Sequence, residues 1–205
     1  MTNVLCFGDS NTYGYIPDGS GRFSRSVRWT GLLQEMLGRE YHIIEEGLCG
    51  RTTVFQDEIR FGRRGLDHIG VAVESHNPVD VLVIMLGTND CKSRYAASAK
   101  LIARGVEEVA ARAKCYASEN MQILIVSPIQ LKPGVGAEGF DMEFDVRSEE
   151  VSRKLAAEYA RVAEKNGYAF LDAARVTEAS EADREHLDAY GHRELAEAIA
   201  RKLCS

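Results

Sequence analysis

Val4-Leu5-Cys6-Phe7-Gly8-Asp9-Ser10-Asn11 is four apolar residues followed by a glycine and three turn formers. The first half reads as a short strand, apolar on both faces, as strands are when helices cover them above and below. Gly8 breaks it. Asp9, Ser10 and Asn11 then favour a turn through hydrogen bonds to their own backbone. A small hydroxyl side chain thus sits just past the C-terminal end of a first strand, the edge where open α/β sheets bind ligands. Taken alone, the same residues also suit a plain turn that caps a helix.

Outward from this stretch, strands and helices alternate. Tyr41-His42-Ile43-Ile44-Glu45 reads as a second strand and runs into a Gly/Thr-rich turn, Gly47 to Thr53. Val79 to Leu86 is continuous, apolar and β-branched, which suits the centre of a parallel sheet, and it ends in Gly87-Thr88-Asn89-Asp90. Met121 to Val126 reads as a fourth strand, stopped by Ser127-Pro128, and Tyr168 to Leu171 as a short fifth. Between them lie helical faces: Trp29 to Leu37; Leu66, Ile69, Gly70 and Val73; Ala96 to Ser118; Val151, Leu155, Tyr159 and Val162; and Ala189 to Leu203. The pattern predicts one α/β domain over residues 1–205, flavodoxin-like, three layers (αβα), with a parallel sheet of about five strands and strands 1 and 3 central. Tyr13 to Arg28 reads as a loop bordering a site, and Pro128 to Asp145 as an irregular insertion at the sheet edge.

The chain of 205 residues, 45% hydrophobic and 27% charged, is long enough for a substantial core. Its net charge of −6 and lack of a basic stripe argue against a nucleic-acid partner. The densest basic run, Arg60-Phe61-Gly62-Arg63-Arg64, reads as a solvated turn before a helix. No signal-peptide pattern and no bilayer-length apolar run is read, so no membrane partner is expected. Five cysteines without CxxC or Cys/His ligand spacing argue against a disulfide framework or a structural zinc site. They read as reduced thiols in a cytoplasmic protein, with no metal and no cofactor called for.

Strands 1, 2 and 3 end in the turns that hold Ser10, Gly50 and Asn89, and Asp183-Arg184-Glu185-His186 follows strand 5. In a parallel sheet these four turns share one edge. Gly8-Asp9-Ser10-Asn11, Gly50-Arg51-Thr52-Thr53, Gly87-Thr88-Asn89-Asp90 and Asp183-x-x-His186 resemble, in order, the four blocks of the SGNH (GDSL-type) hydrolases. Arg28-Trp29, Glu45-Glu46-Gly47-Leu48 and the Met85 to Asp90 segment are similar to the arylesterase/acyltransferase branch. Two positions depart from the family pattern. Glu46 stands where many members have Asn, which touches a loop-stabilising hydrogen bond. Arg184 stands where many have Gly, which touches backbone freedom.

The resemblance implies a serine esterase acting on small acyl or aryl esters, with carbohydrate acetyl esters an alternative within the family. A serine hydroxyl needs a base within hydrogen-bond reach and a third group to orient it. His186 is the candidate base, Asp183 the group that accepts its Nδ1–H, and Ser10 the nucleophile. The Ser10 and Gly50 backbone N–H groups and the Asn89 amide are the candidate oxyanion donors. The partner is then a small-molecule ester. The branch contains multimers, so a homo-oligomer is the matching expectation.

A different class also fits the first turn: Ser10-Asn11-Thr12 after strand 1 could cradle a phosphate or flavin, although Tyr13 and Tyr15 stand where small residues are preferred. Asp172 reads as a strand-end turn residue before a rival third member, Asp188 as a helix cap and His192 as structural. His42, His68 and His76 have no evident partner. Cys49 and Cys91, flanking the Gly50 and Asn89 positions, read as packing residues that thiol reagents could reach. Tyr13, Tyr15, Phe23, Trp29, Phe140 and Phe144 are the candidates for an acyl or aryl pocket.

Overall fold

A computed structural model describes residues 1–118 and 120–204. Five strands form one parallel sheet: β1 (Thr2–Gly8), β2 (Tyr41–Gly47), β3 (Val81–Met85), β4 (Gln122–Ser127) and β5 (Ala169–Asp172), in spatial order β2-β1-β3-β4-β5. β1 and β3 are neighbours at the centre, as the sequence predicts. Cys6 pairs with Glu45 on one side and Val83 on the other; Gly8 pairs with Gly47 and Met85. Three strands therefore stop level with one another, and the turns that follow them start from one edge.

The helices are α1 (Ser10–Tyr13), α2 (Trp29–Leu37), α3 (Gly65–His76), α4 (Ala99–Lys114), α5 (Val146–Asn166) and α6 (Ala189–Leu203). Strand side chains alternate between faces. Leu5, Phe7, Leu82, Ile84, Ile123 and Ile125 pack with α3, α4 and α5. Val4, Cys6, Val83, Met85, Leu124 and Val126 pack with α2 and α6. Both faces are covered, which is why β1 and β3 carry no polar face. Among the described residues no helix is long and apolar enough to cross a membrane.

Some element bounds differ from the sequence reading. Ala96 takes φ 46, in the left-handed region, and closes a 3-10 turn over Ser93–Tyr95. Ser98 then caps α4 by accepting from Leu101 N at 3.3 Å, so the helix starts later than its apolar periodicity suggests. The irregular segment does end at Asp145, whose side chain caps α5 in a reciprocal pair with Ser148.

The end of β2 lies against the chain that carries Ser10. A Cβ on Gly47 would sit 2.2 Å from Tyr13 N and 2.5 Å from Thr12 C, backbone atoms that cannot step aside. Gly47→Ala is expected to destabilise the protein by about 1–3 kcal/mol, read as a lowered denaturation midpoint, because overpacking is relieved only by backbone shifts. An unchanged midpoint would mean that α1 moves freely against β2.

Candidate active site

Ser10 opens α1 directly after β1. Asp9 caps this single turn by accepting from Asn11 N at 3.0 Å, and Gly14 closes it at φ 84. The Ser10 Oγ lies 2.8 Å from His186 Nε2. On the far side of the ring, His186 Nδ1 lies 2.6 Å from Asp183 Oδ2. The other Asp183 oxygen accepts from the Glu185 and His186 backbone N–H at 3.0 and 2.9 Å, so the carboxylate folds back along its own turn. With the Nδ1 proton directed at Asp183, Nε2 is left to accept the Ser10 hydroxyl proton. Leu187 N donates to Asn11 Oδ1 at 2.9 Å and ties the last turn to the first. The Tyr15 ring stands 4.6 Å from the imidazole, centroid to centroid.

The candidate oxyanion donors line the same cleft. Ser10 is the first residue of α1, so its N–H has no intrahelical partner. Gly50 takes φ 82, a conformation that side chains rarely adopt, and a Cβ there would meet the Arg60 guanidinium at 2.9 Å. Asn89 donates one amide proton to Arg51 O at 3.1 Å, which fixes the rotamer and leaves its second N–H for the cleft. Asp90 is fully buried and accepts from Thr53 N at 3.0 and 3.1 Å and from the Thr53 hydroxyl, which joins the turns after β3 and β2.

The two family departures have local answers. Arg51 Nη1 donates to the carbonyl oxygens of Gly8 (2.9 Å) and Glu46, and its guanidinium stacks over Phe7 at 4.1 Å. The Glu46 side chain lies between Arg51 Nη2 at 3.9 Å and His76 at 3.3 Å, so Arg51 holds this loop through both the backbone and the side chain of Glu46. Arg184 takes φ 66, the geometry a glycine would adopt freely, at a cost of about 1–2 kcal/mol. Its guanidinium offsets this by donating to Gly134 O at 3.0 Å and stacking 3.9 Å over the Phe140 ring.

Burial alone would push the His186 imidazole down. The Glu185 charge, the Asp183 hydrogen bond and charge, and Asp9 outweigh it and lift the group to about 9. Burial would raise the Asp183 carboxyl, but His186 and the two backbone N–H groups hold it below the usual range. Burial raises Glu185 and lifts Asp9 to about 7 and Asp90 to about 6. The Cys49 thiol is pushed up, first by burial and then by Asp9.

Of the six aromatic pocket candidates, only Tyr15 lines the cleft. Trp29 and Phe144 are core residues, Phe23 packs edge-on against His192 at 5.3 Å, Tyr13 lies under Arg22 and Phe140 under Arg184. The cleft of about 250 Å³ is instead rimmed by Arg60, Lys92, Asp141, Glu143 and Glu185. Arg60, exposed in the turn before α3 as the sequence predicts, also lines the cleft. These charges gave no sequence signal because they lie in loops without periodicity; only the position of Glu185 next to His186 hinted at one. Asp172 caps a 3-10 turn over Ala173–Arg175, Asp188 caps α6, and His192 Nδ1 accepts from Trp29 N at 3.2 Å, all structural roles. His42 pairs with Asn3 at 3.3 Å. Cys49 lines the cleft, whereas Cys91 is buried beside it. A larger groove of about 750 Å³ between α4 and α5 shares no residue with this cleft.

A three-layer sheet with a serine and an imidazole paired at its C-terminal edge is the arrangement of an SGNH-type serine ester hydrolase. The chain belongs to the GDSL-like lipase/acylhydrolase family, whose profile matches residues 6–194. It is similar to the solved aryl esterase of M. smegmatis, at 31% identity and TM-score 0.93, with 100% of this chain and 99% of that one covered. It is also similar to a carbohydrate acetylesterase from Sinorhizobium meliloti, at 32% identity and TM-score 0.89, again covering 100% and 99%. A further solved structure matches at 41% identity and TM-score 0.95, covering 99% and 97%. Among curated protein sequences none matches the chain.

Proposed function

We propose that this enzyme cleaves small acyl esters through an acyl-enzyme on Ser10. The observation that carries the reading is the relay Ser10 Oγ to His186 Nε2 at 2.8 Å and His186 Nδ1 to Asp183 at 2.6 Å. His186 takes the hydroxyl proton as Ser10 attacks the carbonyl carbon, and returns it to the leaving alcohol. Asp183 fixes the tautomer and stabilises the imidazolium. The Ser10 and Gly50 N–H groups and the free Asn89 amide proton stabilise the tetrahedral oxyanion. Water, or an alcohol in its place, then releases the acyl group.

The small, charged cleft favours a short acyl group and a polar alcohol portion. That observation supports acetyl esters of carbohydrates as the second reading beside simple aryl esters, in keeping with the acetylesterase likeness. Labelling with an organophosphonate and mapping the modified residue by mass spectrometry tests the nucleophile; a label elsewhere, or none together with inactivity on aryl and acetyl esters, counts against it. Asn89→Ala is expected to lower kcat by about 10²–10³-fold with KM little changed, the usual loss for one oxyanion donor. Steady-state kinetics on a 4-nitrophenyl ester checks this, and an unaltered kcat removes Asn89 from the hole.

A further inference from the structure

Of the cleft carboxylates besides Asp183, Glu185 reaches the imidazole, and the chemistry above gives it no task. It is only 6% exposed, and what is open faces the reaction space. Its Oε1 lies 3.7 Å from His186 Nε2, the nitrogen that faces Ser10. Among the described residues no hydrogen bond reaches either of its side-chain oxygens; its close ion-pair partner is His186 Nε2, and only while the imidazole is protonated. Lys92, which also lines the cleft, is already bonded to Glu143. When His186 is neutral, as it must be to act as base, that ion pair is gone and the buried carboxylate is left without a donor, which is costly, so its partner is expected to arrive with the reaction.

We propose that Glu185 positions the water that releases the acyl group from Ser10, and so commits the enzyme to hydrolysis over transfer to alcohols. This rests on the acyl-enzyme reading above. A water at an ordinary hydrogen-bond distance of about 2.8 Å from each acceptor spans the gap between Nε2 and Oε1. One of its protons points at His186 and the other at Glu185, which turns a lone pair towards the acyl carbon. A monohydric alcohol has a single hydroxyl proton. If it gives that proton to His186, it turns carbon at the Glu185 oxygen and leaves the carboxylate unpaired.

In the step itself the water oxygen bonds to the acyl carbon while its proton passes to Nε2. The tetrahedral intermediate collapses, the carbon–Oγ bond breaks, and Nε2 returns that proton to Ser10 Oγ. The carboxylic acid departs and ionises to solvent. Glu185 gains and loses no proton. Its charge favours the imidazolium in both half-reactions alike, whereas positioning acts on release alone, since the chain itself holds the nucleophile in the first half-reaction.

The test compares the enzyme with Glu185→Met, of similar length, and with Glu185→Leu should the first fold poorly. 4-Nitrophenyl acetate is turned over with and without methanol, on the alkaline plateau where His186 is neutral in every form. Stopped-flow reads acylation and release separately, and the ratio of methyl acetate to acetate reads the partition. Acylation is expected within about threefold of the parent, release by water about 10–100-fold slower, and the partition shifted at least tenfold towards methyl acetate, since a misplaced reactant costs up to about 10²-fold. Equal slowing of both half-reactions, or an unchanged partition ratio, overturns the proposal. The phosphonate label tests the underlying reading separately: failure there removes both, and a labelled Ser10 with an unchanged ratio removes this proposal alone.

Discussion

Ser10→Ala is expected to lower kcat by about 10⁴–10⁶-fold, the scale on which serine hydrolases lose turnover when the nucleophile goes. His186→Ala should fall in the same range, and the double variant should be scarcely worse than either, because the pair acts as one unit. Residual activity above the solution rate would come from the oxyanion donors and binding. The folded state should hardly notice the Ser10 change. The Oγ makes one buried hydrogen bond, to His186, and such a bond is worth about 1 kcal/mol. Cys49 is the rival nucleophile that a smaller loss would point to. It lines the same cleft, yet its thiol is raised by burial and by Asp9, which starves it of thiolate. Steady-state kinetics with a thermal melt on each variant separates lost chemistry from lost structure, and a fall of less than tenfold for Ser10→Ala would move the nucleophile elsewhere.

The pH profile carries the second large effect. Only neutral His186 can take the hydroxyl proton, and its surroundings lift it to about 9. The rate constant kcat/KM should therefore rise tenfold per pH unit through neutrality and level off only above about 9. At pH 7 about one molecule in a hundred would hold the base ready, two units below that value. Glu185→Gln removes the largest of the charges that favour the imidazolium, so its limb should move to lower pH by about one unit. The variant would then acylate faster than the parent near neutrality and no faster above pH 10. A limb that stays in place shows that the Glu185 charge does not reach the ring.

Stability should run the other way. His186, raised above its unfolded value of 6.5, favours the folded state fully below that pH and ceases to do so as pH climbs through about 9. Asp9 and Asp90, lifted from 3.8 to about 7 and about 6, disfavour folding increasingly as pH rises through those values. Asp183 is depressed, so its contribution is present above 3.8 and lost as pH falls through its folded value, which sets the acid limit. Melting temperatures should peak on the acid side of neutrality while turnover peaks in alkali.

The sheet was readable because each strand obeys a local rule. Val79 to Leu86 is apolar throughout, and Gly8, Gly47 and Gly87 mark where β1, β2 and β3 give way to turns. The convergence of Ser10, Gly50, Asn89, Asp183 and His186 follows from parallel strands ending level. The cleft wall was not readable. Phe140 and Phe144 sit in the expected segment, but one is held under Arg184 and the other is buried in the core. Arg60, Lys92 and Glu185 reach the cleft through tertiary placement that no periodicity encodes. The glycine-like backbone of Arg184 was legible from the family pattern, but its anchor, a guanidinium bonded to Gly134 50 positions away, was not.

Ser10 and His186 are 176 positions apart, one after the first strand and the other before the last helix. Turnover is therefore a sensor of chain-wide integrity. Loosening of either the turn after β1 or the turn before α6 is expected to silence the enzyme while most of its circular dichroism survives.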